Sequence, residues 1–216
     1  MGQLQLIIWD WNGTIMDDME FTYWIENKML LDRGLKSIPD RAFYLDNFGF
    51  PIIEYYRKLG YDFSVYPYEE LAAEFHDLYA EGYQTCPLKA GVLKMLKDVQ
   101  ERGIPQTLLS ASEQSRLLEQ TSFYGVGEYF GELLGVSDDF ATSKVDRAKA
   151  YIRDNHFNLN EVIFIGDTDH DYEAANAVGC KCILMTGGHQ SRKRLEACGV
   201  PVVDTFDELR ALLFSD

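Results

Sequence analysis

The feature that most constrains the fold is a set of short, unbroken apolar runs. Leu4–Trp9, Ile104–Leu109, Leu133–Val136, Val162–Ile165, Cys182–Met185 and Val200–Val203 show continuous apolarity where a half-wetted strand would alternate. Continuous runs of this length suit strands covered on both faces. Helical patterns separate them. In Lys89–Arg102, Val92, Leu93, Leu96 and Val99 fall on one stripe, and Gly103 stops it. Ser112–Phe123, Val145–Asn155, Tyr172–Val178, Arg192–Ala197 and Phe206–Phe214 read the same way. Strand–helix alternation predicts an α/β fold with a doubly wound parallel sheet and right-handed crossovers.

One stretch breaks that rhythm. From Asp17 to Cys86 no buried strand stands out. Helical patterns occupy Met19–Arg33, Ile52–Leu59 and Tyr68–Tyr83, with aromatic joints such as Asn47-Phe48-Gly49-Phe50-Pro51. The expected organisation is a core domain from residues 1–16 and 87–216, with a helical insertion over 17–86.

The net charge of −15 argues against a nucleic-acid partner, because a phosphate backbone needs a field of Lys and Arg. A small phosphorylated molecule is compatible with it, since a few local cations and a metal can hold one. No apolar run approaches the roughly 20 residues that span a membrane. The start, MGQLQLIIWDW, lacks a basic n-region, and Leu6 stands where myristoylation needs Ser or Thr. The expectation is a cytoplasmic protein with no membrane partner, as a monomer or homodimer. Cys86, Cys180, Cys182 and Cys198 do not have zinc-site spacing and read as free thiols.

In parallel α/β sheets, functional residues gather at the carboxyl ends of strands. The first strand ends in Asp10-Trp11-Asn12-Gly13-Thr14, the second in Ser110, and the fourth in Gly166-Asp167-Thr168-Asp169-His170-Asp171; Ser143-Lys144 lies between the third and fourth. A carboxylate such as Asp10 can attack phosphorus and form an aspartyl phosphate. Two anions need a bridging cation, and magnesium prefers oxygen ligands such as Asp10, Asp167 and Asp171. Ser110 and the amides around Trp11 and Asn12 can donate to phosphate oxygens, and Lys144 can add a fixed positive charge.

Each motif also has a plainer reading. Asn-Gly favours turns. Gly-Asp-x-x-x-Asp is also a turn leading into a capped helix. Ser110 or Ser112 can cap the next helix, and an arbitrary lysine is usually solvated. The conjunction weighs against chance, because the elements stand at strand ends or helix starts in an order that serves one reaction.

These stretches, IIWDWNGTIMDD, TLLSAS, SKVDRAKAYI and IFIGDTDHDYEAANAVGC, resemble the haloacid dehalogenase-like hydrolases, and most closely their phosphoglycolate phosphatase-like branch. The resemblance implies a Rossmann-like core with an inserted helical cap of the first insertion type. It implies Asp10 as nucleophile, Ser110 with Trp11, Gly13, Thr14 and Ala111 around the phosphate, and Lys144 as charge stabiliser. Mg2+ would sit at Asp10, Asp167, Asp171 and the Asn12 carbonyl.

The chain departs from that pattern at Asn12. Phosphatases of the family carry an aspartate there, which protonates the leaving group and then activates water. An amide does neither near neutral pH, and such assistance is worth ~10²–10⁴-fold in rate. Four accounts stand. The chain is a slow phosphatase for substrates with good leaving groups, another residue such as Asp17 or Asp18 substitutes, the chain is a phosphate-ligand binder or regulatory protein, or Asn12-Gly13 deamidates. Peptide mapping that finds unmodified Asn12 in active protein removes the last. A phosphonatase would need a Schiff-base lysine among Lys28, Lys36 and Lys58, and a dehalogenase would not need the acidic cluster. Asp46, Asn47, Tyr55 and Arg57 are polar candidates to face the site from the insertion. His189 and Arg192 are either a basic rim or part of a Ser-capped surface helix with solvated charges, and the second reading is favoured.

Overall fold

The computed structural model describes residues 4–136 and 144–214. In chain order, β1 (Leu6–Trp9) leads into four helices, α1 (Met19–Asp32), α2 (Arg41–Asn47), α3 (Ile52–Lys58) and α4 (Tyr68–Gly82). Alternation follows, with α5 (Val92–Glu101), β2 (Gln106–Glu113), α6 (Gln114–Phe123), β3 (Glu132–Val136) and α7 (Lys144–Asp154). Then come β4 (Val162–Gly166), α8 (Asp169–Val178), β5 (Lys181–Met185), α9 (Arg192–Ala197), β6 (Val202–Val203) and α10 (Phe206–Leu213).

The six strands form one sheet in the order β3-β2-β1-β4-β5-β6, with every neighbouring pair parallel. This is the Rossmann-like α/β core. Alternate residues of each buried strand feed two separate cores. Ile7, Trp9, Leu108, Ile163 and Ile165 join one cluster, while Leu6, Ile8, Leu109, Val162 and Phe164 join the other. Both faces are therefore dry, which is why the strands carry continuous apolar runs. The first cluster continues into the helical insertion through Ile25, Met29, Tyr44, Phe48 and Tyr55, so insertion and sheet share one core.

Three local expectations need correction. The Asn47–Pro51 joint follows a further helix, α2, which begins behind Asp40 with that side chain accepting from the Phe43 amide. The second strand runs past Ser110 to Glu113, with a register irregularity between Leu109 and Glu113. Neither Ser110 nor Ser112 caps α6, which starts behind Glu113 without a side-chain cap.

Candidate active site

The strand register builds the site. Trp9 stands level with Leu108 of β2 and Ile165 of β4, so Asp10 and Asp167, just past the ends of β1 and β4, stand at nearly the height of Ser110 within β2. The strand order turns outward on both sides of β1, and a parallel sheet opens a crevice at such a switch point. Asp10, Asp167 and Asp171 meet there, all buried, with one carboxylate oxygen from each within 4.8 Å of the others.

Backbone geometry allows the close approach. Gly13 has φ +74°, and a Cβ there would stand 2.3 Å from Asp167 Oδ2. A Cβ on Gly188 would stand 2.1 Å from the same oxygen. Asp167 accepts from the Thr14 hydroxyl at 2.8 Å and from the His189 amide at 2.7 Å. Thr168 caps α8, and Asp171 completes the capping box, one oxygen taking the Thr168 hydroxyl and the amides of Asp167 and Thr168. The plain reading of Gly-Asp-x-x-x-Asp as a helix start and the reading as a carboxylate cluster thus both apply. Burial, with the neighbouring Asp171 carboxylate adding to it, raises the pKa of Asp167.

Asn12 is held on three sides. Its Nδ2 donates to Asp18 Oδ2 and to the Tyr79 hydroxyl, each at 2.8 Å, and its Oδ1 accepts from Ser112 at 3.1 Å. Asp18 also accepts from the Gly13 amide at 2.8 Å, from Tyr79 at 2.6 Å and pairs with His189 Nε2 at 3.1 Å. Burial alone would raise Asp18, but His189, Tyr79 and Asn12 outweigh it and hold the carboxyl below its usual range. Burial alone would lower His189, yet Asp18 and Asp167 carry it up to about 9. The pair is therefore an imidazolium facing a carboxylate, with the Tyr44 hydroxyl 2.7 Å from the other ring nitrogen.

A cavity of about 300 Å³ opens above these groups. Asp10, Asn12, Ser110, Ala111 and Asp171 form part of its floor, and Phe48, Tyr56, Phe75 and Tyr79 from the insertion form part of its walls. Trp11, Gly13 and Thr14 do not line it. The Trp11 indole donates to Gln120 at 2.7 Å, and the Gly13 amide and Thr14 hydroxyl are committed to Asp18 and Asp167. Lys144 begins α7, and its side chain lies outside the described residues, as does Ser143.

The polar candidates from the insertion are elsewhere. Asp46 accepts from Ser191, Asn47 donates to the Phe43 carbonyl, Tyr55 donates to Glu26, and Arg57 pairs with Glu54. Arg192 is solvated and pairs with Glu196 and Asp204, and Ser191 caps α9, as the surface-helix reading expects. His189 is the exception to that reading, being buried on Asp18. Sequence reasoning passed over Tyr79 and Glu26, both cavity-lining. The signal for His189 was present in the Gly187-Gly188 pair before it, since paired glycines at a strand end mark a close backbone approach.

All four cysteines are free. Among the described residues, no helix is long and apolar enough to cross a membrane. The family profile described as "Haloacid dehalogenase-like hydrolase" matches residues 7–185. Phosphoglycolate phosphatase of Pectobacterium atrosepticum is 26% identical over 149 residues, which cover 67% of this chain and 63% of that protein. Phosphoglycolate phosphatase of Pseudomonas putida is 25% identical over 219 residues, covering 97% of this chain and 78% of that protein. A solved haloacid dehalogenase-like family hydrolase from Streptococcus pneumoniae superposes with a TM-score of 0.85 at 16% identity, over 99% of this chain and 100% of that one. The matched family, together with a sheet and strand-end residues of the expected kind, shows that the chain is an enzyme belonging to the haloacid dehalogenase-like hydrolases.

Proposed function

We propose that the chain is a magnesium-dependent phosphatase acting on a small phosphorylated metabolite in the cytoplasm, with residues 17–86 serving as a cap over the core. The observation that carries this reading is the convergence of Asp10, Asp167 and Asp171 beneath a cavity that also reaches Ser110. The donor set fits the metal. Three buried carboxylates within 4.8 Å repel one another, and their hard oxygens are what magnesium prefers. Asp10, Asp167, Asp171 and the Asn12 carbonyl would hold it. Bound there, Mg2+ would offset charge on the phosphate and let an anionic nucleophile approach.

The chain's own residues then divide the work. Asp10 attacks phosphorus, the P–O bond to the leaving group breaks with its electron pair going to that group, and an aspartyl phosphate remains. Ser110 and the amides near Ala111 orient phosphate oxygens, and Lys144 supplies a fixed positive charge. Water then attacks the aspartyl phosphate, releasing inorganic phosphate and restoring Asp10. Ring-walled closure by the insertion excludes bulk water.

Position 12 sets the limit. Asp18 does not replace the absent acid, because its carboxylate is ionised and already accepts from four donors. Asp17 is exposed and does not line the cavity. The expected substrates therefore have leaving groups that depart without a proton, such as acyl phosphates. The three bonds that lock Asn12 favour a second reading, a phosphate-ligand binder in which the amide is a fixed recognition group.

A phosphate-release panel with Mg2+, comparing wild type with Asp10→Asn and Asn12→Asp, separates the two. Activity in wild type that is lost in Asp10→Asn supports the enzyme, whereas activity only in Asn12→Asp supports the binder.

A further inference from the structure

The cavity above Asp10 carries a second polar feature besides the phosphate end. Asp18, Thr22 and Glu26 recur at four-residue intervals on one face of α1 and at its cap, and all three are buried and line the cavity. Four-residue spacing stacks side chains on one helix face. A rise of about 1.5 Å per residue sets Glu26 roughly 12 Å along the axis from Asp18, well beyond the reach of a two-carbon acid. Glu26 is 3% exposed, and one carboxyl oxygen accepts from the Tyr55 hydroxyl at 2.7 Å. No donor among the described residues reaches its other oxygen.

The surroundings of Glu26 are aromatic. Phe48, Tyr56, Tyr68, Phe75 and Tyr79 line the same space, with Phe75 and Tyr79 stacked at 5.9 Å and 27°. Ring faces carry a negative quadrupole and attract cations. The cavity's charged neighbours do not prepare it for a second anion. His189 is committed to Asp18, and Arg116 faces Glu113 at 3.3 Å. A buried carboxyl without a cation is costly in an apolar pocket, and a ligand that brings the cation removes that cost.

We propose that Glu26, with the aromatic walls around it, recognises an ammonium group on the leaving portion of the substrate, so that the substrate class is an amine-bearing phosphate with a good leaving group, such as an ammonium-bearing acyl phosphate. The inference rests on the phosphatase reading for its phosphate end and on Glu26 for the other. Burial raises the Glu26 carboxyl to about 8, only partly opposed by the bond from Tyr55. The titratable groups around it are Tyr44 from α2, Tyr55 and Tyr56 from α3, Tyr61 beyond α3, and His189. At neutral pH the tyrosines are protonated and neutral, so an entering ammonium drives the Glu26 proton into the solvent.

The probes are ω-trimethylammonioacyl phosphates, with acyl chains of two to six carbons, each paired with the acyl phosphate that carries a tert-butyl in place of the ammonium. The readout is the ratio of kcat/KM within each pair, with Mg2+, for wild type and Glu26→Gln. Wild type is expected to favour the longer ammonium probes by about tenfold or more, as a desolvated cation between rings and a carboxylate requires. Glu26→Gln brings the ratio to about one. Calorimetry in buffers of different ionisation enthalpy should show more proton release for each ammonium probe than for its neutral pair in wild type, and no such difference in Glu26→Gln. If Glu26→Gln does not fold, Glu26→Asp, whose carboxyl is drawn back by one methylene, is expected to shrink the ratio. A wild-type ratio at or below one for every pair, or a ratio unchanged in a folded variant, overturns the proposal. If wild type turns over no phosphate at all, the phosphatase reading fails, and the same pairs measured as ligands decide the proposal separately. A binding preference for ammonium that Glu26→Gln removes upholds it, and equal binding overturns it.

Discussion

Replacing Asn12 by Asp puts a carboxylate oxygen where an amide nitrogen now sits 2.8 Å from Asp18 Oδ2. Two unit charges at that separation repel by roughly 6 kcal/mol at an effective dielectric of about 20. That is equivalent to raising a carboxyl pKa by about four units, from near 4 to near 8. The introduced carboxyl therefore keeps its proton at pH 7 and still donates to Asp18. That proton can turn from Asp18 to a leaving group, and general acid catalysis of that kind is worth ~10²–10⁴-fold. Phosphate release by Asn12→Asp from unactivated alkyl phosphates should rise by at least tenfold below pH 7 and fall as pH rises through about 8. The melting temperature should drop relative to wild type as pH rises from about 4 to about 8, because the unfolded chain ionises the introduced carboxyl first. A folded variant with no gain in rate between pH 5 and 9, or a gain with a flat pH profile, would refute the reasoning.

Two further predictions concern stability. The Thr107 hydroxyl is buried with no hydrogen-bond partner among the described residues, so Thr107→Val should stabilise the protein by about 1 kcal/mol and raise Tm by roughly 2–4 °C, as calorimetry reads directly. Glu26 has a folded pKa raised to about 8 from an ordinary value of 4.5. The unfolded chain ionises it first, so the folded state holds the extra proton and loses stability as pH rises from 4.5 to 8. The loss amounts to roughly 4–5 kcal/mol at 1.36 kcal/mol per pH unit. Glu26→Gln should flatten that dependence in denaturant titrations. Equal slopes for the two proteins would show that the carboxyl is solvated.

The sheet was legible because its strands are dry on both faces. Leu6 and Ile8 feed one core and Ile7 and Trp9 the other, so the run from Leu6 to Trp9 has no polar break. Asp10, Ser110, Asp167 and Asp171 were legible for a related reason, since strand ends in a parallel sheet face one crevice. The α2 helix was missed because Tyr44 is its one buried residue, so no apolar stripe marks it, and only Asp40 marks its start. The cavity walls were not legible either. Glu26 and Tyr79 reach the site through the packing of α1 and α4, which local sequence does not encode. His189, whose charge looked solvated beside Arg192, is instead buried on Asp18, and the Gly187-Gly188 pair before it was its one local signal. Polar candidates chosen by residue type, such as Asp46 and Arg57, turned outward to Ser191 and Glu54.

Covalent participation by Asp10 is the account's central claim, and it has a direct chemical test. An acyl phosphate is reduced by borohydride to the alcohol, so an acid-quenched turnover mixture would carry homoserine at position 10, read by peptide mass spectrometry. The account predicts that mark in wild type turning over substrate with Mg2+, and neither the mark nor turnover in Asp10→Asn. Phosphate release that persists in Asp10→Asn, or brisk wild-type turnover with position 10 unmodified, would contradict it.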